Sequence, residues 1–350
     1  MDLYQASREI IRQAQHTGGA YLASPTFPTY RYSWIRDGSF IAYAMDQVEA
    51  HDSALAFHRW TSRTLLRQES KVAALEAEPM ITLDDRTILH TRFTVEGQEG
   101  TDQWPNFQLD GYGFWLSALA RHVALARSDL HEFQPAVELI VRYLTLLWDR
   151  PCFDCWEEFP NYRHPTTIAA IAGGLRNAAA LLDDPGPAQQ ADRIMKWFLA
   201  NALLGDALAK FERGTTVDAS ALLVCGPFGP FSTSDRVVEQ TVERIELELV
   251  KETGGVRRYL GDEYYGGGLW LPLSGALSWI HAERDNWSRA AEILQWIEDA
   301  ADPSGSLPEQ VSHHLMVPTG FRYWTDLCGP VAKPLLWSHA MYLIARTRAS

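Results

Sequence analysis

Hydrophobic positions recur at three- and four-residue spacing over most of the chain, and this period predicts a mainly α-helical protein. The segments with this pattern are 4–15, 38–50, 53–67, 110–127, 131–149, 166–183, 187–203, 234–250, 270–283, 286–301 and 332–347. Clusters of Gly and Pro, such as those at 184–187 and 226–230, separate several of them. The stretch 79–99 instead alternates and is rich in β-branched residues, which predicts a short β-hairpin.

Two architectures are compatible with these predicted helices. Helices joined by short loops, without a repeat of fixed period, fit a toroid of helical hairpins whose loops at one end build a pocket. A helical solenoid is the competing architecture. No linker of flexible composition divides the chain, so one domain over residues 1–350 is expected.

Composition narrows the range of partners. The 350 residues carry a formal net charge of −13, which argues against nucleic acid or an anionic membrane, since both attract clusters of Lys and Arg. The first residues show no signal-peptide pattern, and no run reaches the roughly 18 apolar residues of a membrane span. With 13 Trp, 13 Tyr and 14 Phe, the chain has more aromatic residues than packing usually recruits. Ring faces with polar rims suit sugars.

Neither the cysteines nor the histidines predict a metal or redox site. The four cysteines are Cys152, Cys155, Cys225 and Cys328. The first two form a single C-x-x-C without a second ligand pair, so buried, reduced thiols and a cytoplasmic protein are expected. No zinc motif fits the spacing of the histidine candidates, which are His164, His313, His314 and His339. The last of these is expected to form hydrogen bonds in the interior.

The candidate catalytic and binding residues lie in five loops between the predicted helices, where rigid scaffolds often carry their catalytic groups. These loops are 30–38 (YRYSWIRDG), 104–113 (WPNFQLDGYG), 153–160 (FDCWEEFP), 257–270 (RRYLGDEYYGGGLW) and 305–310 (GSLPEQ). In the third loop two carboxylates follow a tryptophan. Burial and a neighbouring negative charge both help an acid to keep its proton. Glycosidic-bond cleavage needs one such acid and a second carboxylate as nucleophile or base. The loops therefore indicate a sugar-hydrolysing site.

Together the five loops resemble the catalytic motifs of glycoside hydrolase family 15, the glucoamylase family. The match follows the family's order from Tyr30 to about Leu343, and 334–340 (PLLWSHA) is similar to the family's last barrel helix. The resemblance implies an all-α fold, an (α/α)6 barrel, with the hairpin as an insertion. Many bacterial members carry an N-terminal β-sandwich domain. Only about 29 residues precede the first motif, so that domain and starch-binding modules are expected to be absent.

The resemblance also implies roles for single residues. The first Glu of the W-E-E motif is the family's general acid, here Glu157, and the Glu of the last motif is its general base, here Glu309. Arg36 and Asp37 resemble the clamp on the terminal glucose. The residues expected to bind or line the sugar site are Tyr30, Trp34, Arg36, Asp37, Trp104, Gln108, Asp110, Trp156, Glu158, Arg258, Asp262, Trp270 and Trp337.

Some of these residues have a simpler interpretation. An amide and an acid two residues apart, as in Gln108 and Asp110, also occur where side-chain hydrogen bonds stabilise a loop. Large aromatics such as Trp34 and Trp337 also suit a barrel core. The family's larger members often have an acid at the place of Gly261 and a Pro at that of Leu269, so the linkage preference is open.

The predicted activity is an inverting, exo-acting α-glucosidase that needs no cofactor or metal. It would release β-glucose from small oligosaccharides of the isomaltose or maltose type. The base, Glu309, is expected to have a low pKa, so that it is ionised when the water attacks. Trehalase activity within the same family is one alternative. A phosphorylase, with phosphate in place of Glu309 and water, and a silent sugar-binding regulatory domain are the others.

Overall fold

The computed structural model describes residues 2–126, 128–251 and 254–349, and α-helices dominate them. The helices are α1 (Leu3–Ala14), α2 (Ile35–Gln47), α3 (His51–Leu66), α4 (Glu69–Ala77), α5 (Asp110–Ala126), α6 (Gln134–Leu147), α7 (Pro165–Leu182), α8 (Pro185–Asn201), α9 (Arg236–Leu249), α10 (Leu271–Glu283), α11 (Trp287–Asp299), α12 (Pro318–Cys328) and α13 (Leu336–Arg348). None of the helices in the described ranges has both the length and the apolar character required to cross a membrane.

Within the described ranges, eight short strands form three antiparallel sheets. The strands are β1 (Ser33–Trp34), β2 (Arg92–Phe93), β3 (Leu203–Leu204), β4 (Ala207–Leu208), β5 (Val250–Lys251), β6 (Gly255–Val256), β7 (Leu269–Trp270) and β8 (Gln310–Val311). β1 pairs with β2, β3 with β4, and β5 to β8 lie in sequence order. Two of the sheets connect loops that carry predicted site residues. In these sheets β1 and β7 each end immediately before an inner helix.

Two concentric rings of helices form an (α/α)6 barrel. The inner ring consists of α2, α5, α7, a 3₁₀ helix at Ala219–Val224, α10 and α13, which closes against α2. The outer ring consists of α1, α3, α6, α8, α9 and α11, each packed on an inner element. Inner helices are buried over most of their surface, and α10 is buried at every residue from Leu271 to Ala282.

Small residues allow the inner helices to approach closely. α5 and α7 cross where Gly113 faces Ala170 and Gly174. A Cβ atom at Gly113 would lie 2.4 Å from the Ala170 carbonyl oxygen, and one at Gly174 would lie 2.6 Å from that of Gly113. A larger residue at this crossing would therefore push apart two helices whose preceding loops carry the predicted site residues.

The periodicity-based helices are all present, with small shifts at their ends. α4, α12 and the 3₁₀ helix at Ala219–Val224 are among the elements that the periodicity did not predict. The predicted hairpin over 79–99 is largely wrong, because β2 pairs with β1 rather than with a neighbouring segment. Only a tight turn at 94–98 remains of it, where Phe93 bridges Glu99.

Candidate active site

One pocket gathers side chains from four of the five predicted loops and from the start of α13. Its empty volume is about 440 Å³, part of it open to solvent. The lining residues are Ala23, Tyr30, Trp34, Arg36, Asp37, Cys155, Trp156, Glu157, Arg258, Tyr265, Trp270, Glu309, Leu335 and Trp337. Three carboxylates, two guanidinium groups and several aromatic rings therefore share a space of the size that small-molecule sites have.

The loop before α7 presents Glu157 in a strained backbone conformation. Glu157 has φ +69° and Phe159 has φ +52°, both in the left-handed region that side-chain-bearing residues rarely adopt. The Asp154 carboxylate accepts hydrogen bonds from the backbone N–H groups of Trp156 (3.0 Å) and Glu158 (2.9 Å). These bonds fold the loop into a tight turn with Glu157 at its tip.

Three N–H donors converge on one oxygen of Glu157. Its Oε1 accepts hydrogen bonds from Trp34 Nε1 at 2.7 Å, Trp104 Nε1 at 2.8 Å and Gln108 Nε2 at 3.3 Å. An oxygen with three donors has no room for its own proton, so a proton on this carboxyl group resides on Oε2. The two indoles explain why tryptophans occur in the first and second loops.

Glu309 lies in a much poorer hydrogen-bonding environment. Its side chain is buried, and Oε1 accepts one bond, from the Tyr30 hydroxyl at 3.2 Å. Oε2 has no hydrogen-bond partner in the described ranges. Burial raises the pKa of Glu309 to about 8, although Tyr30 and Arg258 lower it. The expectation of a low pKa for this residue is therefore wrong, because burial outweighs the one hydrogen bond.

The first turn of α2 contributes Arg36 and Asp37 to the lining of the pocket. Arg36 donates to Gln108 Oε1 at 2.8 Å and lies 3.4 Å from Asp110 Oδ2. Its Nε faces Asp37 Oδ2 at 3.4 Å, and neither of these two buried atoms has a hydrogen bond within the described residues. Burial raises the pKa of Asp37 to about 6, although Arg36 opposes the shift. Two residues that line the pocket thus carry buried polar atoms with unused hydrogen-bonding capacity.

A second buried guanidinium group lies on the 257–270 loop. Arg258 forms two hydrogen bonds with Asp262, at 2.7 and 2.5 Å, and its Nη1 lies 3.3 Å from Glu158 Oε2. The Tyr259 hydroxyl donates to the same Glu158 oxygen at 2.8 Å. Burial raises the pKa of Glu158, with Arg258 opposing. The two adjacent glutamates therefore face different partners.

The predicted site residues fall into two groups. Ten of them line the pocket: Tyr30, Trp34, Arg36, Asp37, Trp156, Glu157, Arg258, Trp270, Glu309 and Trp337. The others contact these residues from behind: Trp104, Gln108, Asp110, Glu158 and Asp262. Sequence reasoning missed Tyr265, whose hydroxyl lies 3.1 Å from that of Tyr30, although the motif containing it was recognised. It also missed Cys155, Ala23 and Leu335.

Three of the four cysteines and His339 are buried, as predicted. Cys152, Cys155 and Cys225 are buried free thiols, whereas Cys328 is partly exposed. His339 is buried and bonded to Ser7 and to the Leu307 N–H, as predicted.

One group of three metal-type donors exists within the described ranges, and it lies outside the pocket. It consists of Asp46, near the end of α2, with His58 and His122. His122 Nδ1 lies 3.0 Å from both Asp46 oxygens, and His51 Nδ1 lies 2.8 Å from one of them. These direct contacts account for the buried carboxylate as a His–Asp hydrogen-bond network.

Comparison with known proteins extends this description. The family model "Glycosyl hydrolases family 15" matches residues 2–265. The chain is 40% identical to isomaltose glucohydrolase of Kribbella flavida, over 98% of this chain and 91% of that protein. It is 23% identical to trehalase 1 of Sulfolobus acidocaldarius, over 79% of this chain and 50% of that one.

Two solved structures are also similar to this chain. A glycosidase in complex with glucose has a TM-score of 0.94 at 39% identity, with 99% of this chain and 96% of that one covered. A bacterial glucoamylase complexed with acarbose shares the fold, with a TM-score of 0.75 at 20% identity over 99% of this chain and 55% of that one. The extent of the family match and the close relationship to one curated member lead to one conclusion: the chain belongs to glycosyl hydrolase family 15 and is a glycoside hydrolase.

Proposed function

We propose that the protein is an inverting, exo-acting α-glucosidase that releases β-glucose from the non-reducing end of small α-gluco-oligosaccharides. One observation carries the proposal: Glu157 and Glu309, the two candidate carboxylates, line the same small pocket together with Arg36 and Asp37. Inversion requires the two carboxyl groups roughly 6.5–9.5 Å apart, so that a water fits between base and sugar. The chain would act as a single catalytic domain, in the cytoplasm.

Glu157 acts as the general acid. Its Oε2–H donates a proton to the glycosidic oxygen while the bond from that oxygen to the anomeric carbon breaks, and the aglycone leaves as an alcohol. The Glu157 carboxylate that remains is stabilised on Oε1 by the N–H groups of Trp34, Trp104 and Gln108. These donors are in place before the reaction, so they require no reorganisation as the charge develops.

Glu309 acts as the general base. Its Oε2 removes a proton from a water whose oxygen forms a bond to the anomeric carbon from the face opposite the leaving group, which inverts the configuration. Tyr30 keeps the carboxylate oriented through Oε1. After product release, Glu309 loses its proton to solvent and Glu157 regains one, which completes the cycle without a cofactor.

Arg36 and Asp37 hold the terminal glucose. Their buried Nε and Oδ2 atoms offer a donor and an acceptor for sugar hydroxyls, and charged partners make such bonds strong. The Arg36 guanidinium lies 5.8 Å from the Trp337 ring centroid, and both side chains line the pocket. A pocket closed by these groups accepts a chain end rather than an internal segment.

Isomaltose is the substrate that we favour. The relative that is 40% identical is an isomaltose glucohydrolase, whereas the trehalases are only 23% and 24% identical to this chain. Gly261 and Leu269, where the motif departs from larger family members, lie on the loop that also carries Arg258. Maltose and trehalose remain the comparison substrates for the test.

Proton NMR of the purified protein with equal amounts of isomaltose, maltose and trehalose tests the proposal. We expect the isomaltose signals to fall first in phosphate-free buffer, with β-glucose ahead of its equilibrium share. α-Glucose appearing first would refute inversion. Turnover that requires phosphate would show a phosphorylase, and no turnover in either buffer would leave the sugar-binding domain as the correct interpretation. The Glu157→Gln variant serves as the inactive control.

A further inference from the structure

The loop that carries Glu157 rests on a buried ion pair outside the pocket, and we propose that this pair, Lys210 and Asp218, positions the catalytic acid. The inference rests on the role proposed for Glu157 and extends the machinery to two residues that line no part of the pocket. Lys210 is 6% exposed and Asp218 is 4% exposed. Lys210 Nζ lies 2.5 Å from Asp218 Oδ2.

Asp218 connects this pair to the residue before the acid. Both of its carboxylate oxygens accept the Trp156 Nε1–H, at 3.0 and 3.1 Å. The same carboxylate accepts the Ser220 N–H at 2.8 Å, which anchors it to the 3₁₀ helix of the inner ring. The indole of Trp156 is therefore fixed to the barrel by Asp218, and Glu157 follows directly in the chain.

Lys210 contacts the loop on the other side of the acid as well. Its Nζ lies 3.8 Å from Asp154 Oδ2, 4.8 Å from the Phe159 ring centroid and 3.4 Å from the Tyr259 ring centroid. Tyr259 in turn holds Glu158. One ammonium group thus bears on the residues both before and after Glu157, through a carboxylate and two aromatic faces.

The loop needs such support because of its backbone. Left-handed φ values at Glu157 and Phe159 are unfavourable and persist only where the surroundings hold them. Asp154 folds the turn through its carboxylate. Burial raises the pKa of Asp154 to about 7, and the charge of Lys210 opposes that shift. The ammonium therefore favours the ionised form of the Asp154 carboxylate, which accepts the two backbone N–H bonds that shape the turn.

The test compares a substrate whose leaving group must be protonated with one whose leaving group needs little protonation. Isomaltose has a poor leaving group that needs protonation, whereas fluoride leaves α-D-glucosyl fluoride with little help from an acid. The double variant Lys210→Met/Asp218→Asn removes both charges together, so no single buried charge is left unpaired. We expect its kcat on isomaltose to fall about 100-fold with little change in KM, and its kcat on the fluoride to fall less than about threefold.

A matched control exists in the same part of the protein. The half-buried ion pair between Arg163 and Glu212, at 2.6 Å, joins the segment just after the 153–160 loop to the 210–216 segment. The variant Arg163→Met/Glu212→Gln should retain both activities to within about twofold. Equal losses on both substrates in the Lys210/Asp218 variant would show a general structural role, and no loss would show no role. Either outcome overturns the proposal.

A structural measurement separates this inference from the proposed function. If the wild-type protein hydrolyses neither substrate, the α-glucosidase assignment fails, and a crystal structure of the double variant still decides the positioning role. We expect Glu157 to leave its left-handed conformation and its Oε1 to move away from Trp34 Nε1, from which it lies at 2.7 Å in the native protein. An unchanged loop in that crystal structure would refute the inference.

Discussion

Glu157 and Glu309 enter the same pocket from regions that are built differently. Glu157 lies at the tip of an irregular loop with a left-handed backbone, and its carboxyl group is surrounded by side-chain donors. Glu309 directly precedes β8, and its backbone is held by Ala332 and Leu271 at 3.0 and 3.2 Å. Among the described residues, its carboxyl group has one hydrogen-bond donor, Tyr30. The main chain of each acid is hydrogen-bonded, and the difference lies in the number of donors to the two carboxyl groups.

The difference matches what each group would become in the reaction that we propose, in which Glu157 is the acid and Glu309 the base. Glu157 ends the bond-breaking step as a carboxylate, and three N–H groups are placed to stabilise that charge. Glu309 ends the step protonated, and its buried environment favours the neutral form, as the pKa of about 8 shows. Each environment therefore favours the state after proton transfer, which lowers the free energy of the transition state on both sides of the sugar.

The largest expected effect comes from removing each acid in turn. Glu309→Gln should lower kcat by about 10³-fold on both isomaltose and α-D-glucosyl fluoride, because both reactions need an activated water. Glu157→Gln should cause a comparable loss on isomaltose and a much smaller one on the fluoride. Steady-state kinetics of the two variants on the two substrates give the comparison. If Glu309→Gln spares the fluoride, the two roles are exchanged.

A smaller effect is expected from one of the donors to Glu157. Trp104→Phe removes the Nε1–H bond of 2.8 Å and keeps a ring against Arg92, whose guanidinium carbon lies 3.7 Å from the Trp104 ring centroid. Two donors remain, so we expect kcat on isomaltose to fall about tenfold with KM little changed. The measurement is kcat and KM on both substrates. A loss confined to KM would mean that Trp104 binds sugar and does not serve the acid.

The fold was largely predictable because amphipathic and apolar helices leave a periodic record in the sequence. The 79–99 stretch was not, for a physical reason. Its irregular backbone satisfies some of its polar groups with side chains from the helices: the Leu89 N–H donates to the Tyr143 hydroxyl at 3.1 Å, and the Tyr112 hydroxyl donates to the His90 carbonyl at 2.6 Å. β-Branched alternation thus reflected burial beside helices rather than a partner strand.

The site was predictable as a set of residues but not as an environment. Ordered motifs named both candidate acids, whereas the extent of burial that raises the pKa of Glu309 depends on packing from distant segments. Lys210 and Asp218 show the same limit. They lie about 50–60 residues after Trp156 in the chain, and no local pattern connects them with it. Only the folded barrel brings that ion pair into contact with the loop that carries Glu157.

Tyr30 affects the pH dependence expected of Glu309, the proposed base. The hydrogen bond from Tyr30 lowers the pKa of Glu309, so Tyr30→Phe should raise it. A base with a higher pKa is ionised only at higher pH, and the acidic limb of kcat/KM should therefore move upward by about one pH unit. Activity would fall about tenfold on that limb and change little above it. A limb that stays in place or moves downward would contradict the assignment of Glu309 as the base.

The smallest expected effect is on stability and needs no turnover. A carboxyl group whose pKa is raised by folding, from 4.5 to about 8 for Glu309, binds more protons in the folded state than in the unfolded state over that range. Its contribution to the free energy of unfolding therefore falls as pH rises from 4.5 through 8. Glu309→Gln removes this titration, so the Tm of the variant relative to wild type should increase between pH 5 and pH 9, by a few degrees. The exposed Glu263 provides the matched control, because Glu263→Gln should show no such trend. If the Tm difference for Glu309→Gln is the same at both pH values, Glu309 is ionised in the folded protein throughout, and the contrast between the two acids lies in hydrogen bonding alone.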